Sequence, residues 1–353
     1  MSRESAPSGD RVPVILVAGY LGSGKTTLLN HLLRSSGDTR IGVIVNDFGR
    51  INIDALAVAG QVDTALAFGN GCLCCVADAD GLDTALARLT QPSAGIDAVV
   101  IEASGIAEPR TLVRMVLSSE VPRVDYGGLV EVVDAAEFEA SRARHPELDQ
   151  HLRFADLVVL NKTDRVEADT TDRLVQLVAE LSQGTPVLPT AHGRINPELL
   201  FDRRTRPARR TEARQLSLDD LLREYHEQHD GHLHDAYQSV EFSTARPVNP
   251  RRLMEFIRAR PGGLYRAKGF VHFGLPGHDD KFTVHVVGGY VRFTRSRWQR
   301  QEPRATSLVL IGTDLDRGNL LSALESCVDA EPDTADENGI LHVLRHTDDQ
   351  GVV

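Results

Sequence analysis

Six short apolar runs punctuate roughly the first half of the chain: Val14–Val17, Ile41–Val45, Ala98–Ile101, Leu129–Val133, Leu157–Leu160 and Val187–Leu188. They are continuous rather than alternating, which predicts strands buried on both faces, as in a parallel sheet. Helix-period segments separate them. Thr26–Leu33 carries Leu28, Leu29, Leu32 and Leu33 on one face, and Leu174, Leu177, Val178 and Leu181 repeat the spacing. Strand–helix alternation of this kind predicts an α/β fold with a doubly wound, mostly parallel sheet.

The pattern changes after Phe201. Residues 203–214 hold six arginines, one proline and no aliphatic side chain larger than alanine, and a histidine-rich polar stretch follows up to Asp235. A linker is expected over 202–236. From Gln238 the chain predicts strands at Ser239–Phe242, Gly269–Phe273, Phe282–Val287, Tyr290–Phe293 and Leu308–Ile311, with helices at Asn249–Arg258 and Arg317–Cys327. That order implies a smaller α+β domain, one sheet covered by two helices. The expected division is therefore 11–201, a linker, 237–328, and an acidic tail over 329–353 in which only Ile340–Leu344 has the character of a late strand. No internal repeat is visible.

Length agrees with this division, since 353 residues at about 150 per domain favour two domains. Apolar residues are 41% and charged residues 25%, within the range of folded soluble proteins. The net charge of −11 argues against nucleic-acid binding through bulk charge. No apolar stretch is long enough for a membrane span or a signal core, so a cytoplasmic location without membrane attachment is expected. Four cysteines cannot staple a chain this long, and three fall within four residues, which favours a reducing compartment and a thiolate role. Only four residues are lysines, Lys25, Lys162, Lys268 and Lys281.

Two of those lysines lie in phosphate and base motifs. Gly19-Tyr-Leu-Gly22-Ser23-Gly24-Lys25-Thr26-Thr27 fits a phosphate loop between a buried strand and an amphipathic helix. Glycines let backbone N–H groups turn inward around phosphates, and the helix N-terminus adds its positive dipole end. Lys25 is expected on the β- and γ-phosphates and the Thr26 hydroxyl on Mg²⁺. Asn161-Lys162-Thr163-Asp164 follows the strand Leu157–Leu160 directly. An aspartate there accepts two N–H bonds from guanine, a donor pair adenine lacks, so GTP is expected over ATP. Lys162 is expected along the base plane, Asn161 as the holder of the loop, and Thr190–Gly193 as a further base contact. Glu102, ending the strand Ala98–Ile101, is a candidate Mg²⁺ ligand through water, and Gly105 a candidate sensor of the γ-phosphate. Asp47 is a candidate for contacting Mg²⁺ or orienting the attacking water, with an ordinary turn aspartate as the alternative.

Gly71-Cys72-Leu73-Cys74-Cys75 lies between these elements. Cysteines two apart on an irregular loop can face one ion, and sulfur suits Zn²⁺, Co²⁺ or Cu⁺ rather than Mg²⁺ or Ca²⁺. Two or three sulfurs leave a tetrahedral site incomplete, which suits exchange better than permanent structure. A redox cluster or inert buried thiols are the alternatives. Cys327, alone on an apolar helix face, is expected in the core.

The succession of that phosphate loop, Val-Asn-Asp-Phe-Gly, Asn-Gly-Cys-Leu-Cys-Cys, Glu-Ala-Ser-Gly-x-Ala-x-Pro and Leu-Asn-Lys-x-Asp resembles the CobW family of GTPases. Tyr265-Arg-Ala-Lys268-Gly-Phe270 and Leu308–Gly312 resemble its second domain. The resemblance spans about residues 12–325. It implies a GTP-dependent metallochaperone, related to the GTPases that mature hydrogenase and urease, with Cys72, Cys74 and Cys75 holding cargo Zn²⁺ or Co²⁺. A client metalloprotein is the implied partner, with a homodimer as the further candidate assembly. Two positions depart from the pattern: Arg50 stands where an acidic residue is common, and Ala103 where a hydroxyl is usual. His226, His229, His232 and His234, interleaved with acidic residues, resemble the family's metal-gathering tract; a solvated linker is the plain alternative. No glutamine suited to catalysis follows Gly105, so slow intrinsic hydrolysis is expected. The alternative function is a signalling or targeting GTPase with structural or redox cysteines.

Overall fold

The computed structural model of the chain describes residues 11–45, 65–67, 79–105, 108–202, 237–300, 302–328 and 337–348. In chain order its first part contains β1 (Val12–Ala18), α1 (Lys25–Ser35), β2 (Ile41–Val45), β3 (Ala65–Ala67), α2 (Ala79–Leu89), β4 (Ala98–Glu102) and α3 (Pro109–Leu117). It continues with β5 (Val124–Asp134), α4 (Phe138–Arg144), α5 (Leu148–Phe154), β6 (Leu157–Asn161), α6 (Ala168–Leu181) and β7 (Val187–Pro189). These seven strands form one sheet in the order β3-β2-β4-β1-β5-β6-β7, and every pairing is parallel.

The continuous apolar runs explain the parallel pairing, because each strand meets a layer on either face. Ile15 and Val17 pack with Leu28, Leu29 and Leu32 of α1 on one side. Val14 and Leu16 pack with Leu82 and Leu86 of α2 and Leu112 of α3 on the other. All three α1 leucines are fully buried, each contributing roughly 2 kcal/mol.

The second part holds β8 (Gln238–Thr244), α7 (Pro250–Ala259), β9 (Leu264–Val271), β10 (Lys281–Val287), β11 (Tyr290–Ser296), β12 (Thr306–Gly312), α8 (Arg317–Ser326), α9 (Ile340–Leu344) and β13 (Thr347–Asp348). Its sheet runs β13-β11-β10-β9-β12-β8, antiparallel except for the β11–β13 pair. Helices cover one face: Leu253, Met254 and Ile257 of α7 and Leu320 and Leu324 of α8 pack on Phe242, Ala267, Val271, Phe282 and Leu310. Asn249 and Asp316 cap α7 and α8 by accepting from Arg252 N and Asn319 N. Cys327 is buried in this core, where desolvation pushes its thiol up to about 11.

Two expectations fail here. Ile340–Leu344 is a helix rather than a late strand, because Ile340 and Val343, three apart, both enter the core. The sheet therefore carries three helices among the described residues instead of two, and the late strand is Thr347–Asp348.

The two sheets meet at a bulge in β5. Pairing of β1 with β5 slips between Val14 and Ile15, leaving Gly127 and Gly128 as the irregular step. Gly128 has φ 106°, and a Cβ there would stand 2.8 Å from the Tyr265 hydroxyl and 2.7 Å from Val287. Tyr265, fully buried, hydrogen-bonds Gly127 O at 3.3 Å, and Arg292 pairs with Asp125 at 2.9 Å.

Candidate functional site

A cluster of loops gathers at the C-terminal ends of β1, β4 and β6, the edge where open α/β sheets bind ligands. Between β1 and α1 the chain turns through Gly19, Gly22 and Gly24, all at positive φ. Gly24 is the residue preceding α1, at φ 106°, and a Cβ on it would overlap the Asn161 amide. Both facts require glycine at that step. Lys25 opens the helix, buried, with Nζ donating to Gly19 O at 2.9 Å and Tyr20 O at 3.3 Å. Its ammonium thus lies over the loop whose backbone it would share with a phosphate.

Thr26 Oγ1 donates to Glu102 Oε1 at 2.8 Å. Glu102, at the end of β4, is 3% exposed. A hydroxyl and a carboxylate in contact, with the neighbouring edge open to a phosphate, are the hard-oxygen donor set that Mg²⁺ takes. Thr27 is exposed one residue on. Gly105 lies against the phosphate loop, since a Cβ on it would come within 2.9 Å of Leu21 N. Leu21 itself is 62% exposed.

Asn161 joins three loops. Its Nδ2 donates to Ser23 O at 2.9 Å, and its Oδ1 accepts from Gly193 N at 2.8 Å. With Asn161 1% exposed, losing one of these bonds would leave a buried polar group unsatisfied at about 1–3 kcal/mol. Lys162, held at φ 64°, donates to Gly22 O at 2.7 Å and Asp134 Oδ2 at 2.6 Å. Asp164 follows in a 3₁₀ turn, its carboxylate part-exposed and 4.0 Å from His192 Nε2. Thr163 N reaches Thr190 O at 3.2 Å, so the Thr190–Gly193 segment adjoins this loop. Gly19, Gly22, Ser23, Gly24, Lys25, Thr26, Glu102, Gly105, Asn161, Lys162 and Asp164 are in this way brought to one edge.

Asp47, Arg50, Cys72, Cys74, Cys75, His226, His229, His232 and His234 lie outside the described residues. Among the described residues no three metal-ligating side chains cluster, and no helix is long and apolar enough to cross a membrane.

Three residues of this edge escape motif reading. Asp134 ends β5 and is the carboxylate partner of Lys162. Tyr20, inside the loop, bonds His145 Nε2 at 2.8 Å through its hydroxyl. Glu131 sits on β5 beside Ala18 in the strand register, 3% exposed, with Oε2 lacking a hydrogen-bond partner among the described residues. Burial pushes its carboxyl up to about 8, against the lowering pull of the Lys25 ammonium. A charged residue inside the run Leu129–Val133 is the one sequence signal that could have marked it. Glu131 also lines a cavity of about 320 Å³ beside the loop, together with Tyr20, Ser23, Phe138, Ser141 and Lys162.

Comparison with known proteins shows the family of the chain. Residues 13–189 match the CobW/HypB/UreG nucleotide-binding domain, and residues 237–328 match the cobalamin synthesis protein CobW C-terminal domain. A zinc chaperone CobW of Sinorhizobium is 26% identical over 90% of this chain and 98% of its own. A zinc chaperone CobW of Pseudomonas aeruginosa is 28% identical over 90% and 92%. The structure of Zn(II)-bound YjiA GTPase from Escherichia coli covers 90% of this chain and 99% of its own at 21% identity, with a TM-score of 0.41. The chain belongs to the CobW/HypB/UreG family, with the nucleotide-binding domain followed by a CobW C-terminal domain.

Proposed function

We propose that the protein is a GTP-binding and GTP-hydrolysing metallochaperone that holds Zn²⁺ or Co²⁺ on Cys72, Cys74 and Cys75 and yields it to a client protein according to its nucleotide state. The observation that carries the nucleotide half is the convergence of Lys25, Thr26 and Glu102 with Asn161–Asp164 on one sheet edge. In this reading the loop backbone and Lys25 bind the phosphates, Asn161 fixes the spacing between phosphate and base loops, and Asp164 selects guanine. Thr26 and Glu102 hold Mg²⁺, which supplies charge neutralisation at the phosphates. Gly105, packed on Leu21, is the step at which a γ-phosphate alters the segment after β4.

The metal half rests on sulfur chemistry and on the relatives named as zinc chaperones. The cysteine segment lies between β3 and α2, while β2 ends at Val45 directly beside Glu102. One stretch of chain therefore links the Mg²⁺ edge to the thiolates, which is the physical basis for coupling the two ligands.

The nucleotide half is tested by comparing GTP and ATP affinities of the wild type and Asp164→Asn. A strong GTP preference that collapses in the variant is expected, and equal affinities in the wild type would refute guanine selection. The metal half is tested by Cys72→Ser with Cys74→Ser. Tight Zn²⁺ or Co²⁺ binding should disappear while Mg·GTP binding persists. Unchanged metal affinity would favour a signalling or targeting GTPase instead.

A further inference from the structure

The face of the second sheet turned away from its helices is polar, and it adjoins the opposite edge of the first sheet from the phosphate loop. Strand registers place Val309, Lys268, His285 and Arg292 side by side across β12, β9, β10 and β11. Arg266 lies two residues before Lys268 on β9. Together with Asp125 at the start of β5 and with Asp202, they line a cleft of about 440 Å³. That volume is within the range of small-molecule sites.

Arg11 and Asp97 also line this cleft, and the two cations of β9 are the incompletely matched pair. Arg292 has Asp125. Arg266 and Lys268 share a single carboxylate oxygen, Asp202 Oδ1, which forms a close ion pair with Lys268 and stands 3.5 Å from Arg266 Nη1. The Arg266 side chain is 6% exposed. Among the described residues its Nη1 otherwise reaches only the long 3.5 Å contact with Leu200 O, and its Nε has no hydrogen-bond partner. The ring of His285, half-buried in the same wall, bonds the Tyr126 backbone and leaves Nε2 without a partner among them. Buried guanidinium N–H groups are rarely left unpaired, because the desolvated charge is costly. An exposed Phe270 and a part-exposed Val309 supply an apolar surface beside these polar groups.

We propose that this cleft binds a small organic oxyanion, a phosphate or a carboxylate, held by Arg266 and Lys268 with its carbon skeleton on Phe270 and Val309. Asp202 is the internal carboxylate with which such a ligand competes. The oxyanion offers the Arg266 guanidinium and the Lys268 ammonium acceptors besides the single Asp202 oxygen that they share, in the charge-assisted geometry that guanidinium favours. Since the cleft lies across the sheet from the phosphate loop and between the two sheets, an occupant bears on how the two are held together. The inference stands apart from the nucleotide reading, because none of these residues belongs to that site.

The test uses the full chain with its phosphate loop saturated by Mg²⁺ and a non-hydrolysable GTP analogue, and repeats the measurement in a Lys25→Met background. Inorganic phosphate and succinate are titrated by calorimetry. Saturable binding of at least one probe is expected. Lys268→Met, at a part-exposed position, should weaken it by about tenfold or more, the loss of one charge-assisted bond, with circular dichroism unchanged. Asp202→Asn should tighten binding, because it removes the competing carboxylate, whereas a purely structural ion pair would give only destabilisation. Phosphate binding without succinate binding identifies a phosphate ligand, and the reverse a carboxylate. Absence of saturable binding by both probes, or binding unaltered in both variants, would overturn the proposal. Failure of the GTP analogue to load would count against the nucleotide reading alone, since the Lys25→Met titration reports on the cleft independently.

Discussion

Glu131 offers a prediction with a worked magnitude. It lies near the C-terminal end of β5 beside the phosphate loop, 3% exposed, and burial raises its carboxyl from the ordinary 4.5 to about 8. The folded protein therefore keeps a proton that the unfolded chain has already lost. Its cost is nil below the unfolded value, grows as pH rises from 4.5, and levels off above the folded value near 8. At about 1.36 kcal/mol per pH unit the full cost is on the order of 5 kcal/mol. Glu131→Gln keeps the shape and abolishes the titration. The variant's stability relative to wild type should therefore grow by about 4 kcal/mol between about pH 5 and about pH 8.5. Urea denaturation of the nucleotide-free chain, followed by circular dichroism at several pH values, measures this difference. The amide's own unsatisfied N–H groups shift the whole curve but not its slope. A difference between variant and wild type that does not change with pH would refute the reasoning.

Gly24→Ala combines a strained left-handed backbone with a methyl group placed on the Asn161 amide, so GTP-analogue affinity should fall by about tenfold or more while circular dichroism stays native. Gly128→Ala places a methyl group against Tyr265 and Val287 and should destabilise the junction of the two sheets by about 1–3 kcal/mol. Thermal unfolding should then resolve into two transitions, and limited proteolysis should cut the chain between the sheets more readily than in wild type.

How much of this was legible depends on the length of each signal. The strand before Gly19 and the helix after Lys25 follow from an apolar run, a glycine-rich turn and leucines at helical spacing, and the structure has both. Asn161 could be read as the holder of its loop because it directly follows an apolar strand; its two partners, Ser23 O and Gly193 N, are long-range contacts that spacing does not specify. Ala65–Ala67 went unseen, since three residues of small apolar character carry no periodicity. Ile340–Leu344 carries the character of a strand because five apolar-rich residues fit either period, and only docking on α7 and the sheet selects the helix. Asp134 and Glu131 were hidden by the opposite cause. Each lies within or at the end of an apolar run, and their meaning depends on Lys162 and Lys25, which fold next to them from distant segments. Lys268 carried a recognisable motif without a role until the strand register aligned it with His285 and Arg292.

The central claim is that one stretch of chain couples the nucleotide edge to the cysteine site, so each ligand must alter the affinity of the other by the same factor. The direct measurement is Zn²⁺ affinity by competition with a chromophoric chelator, first on the nucleotide-free protein and then with Mg²⁺ and a non-hydrolysable GTP analogue, alongside the reciprocal nucleotide titration with and without Zn²⁺. A shift of about fivefold or more, equal in the two directions, is the predicted result. Identical Zn²⁺ affinity in both nucleotide states would contradict the account.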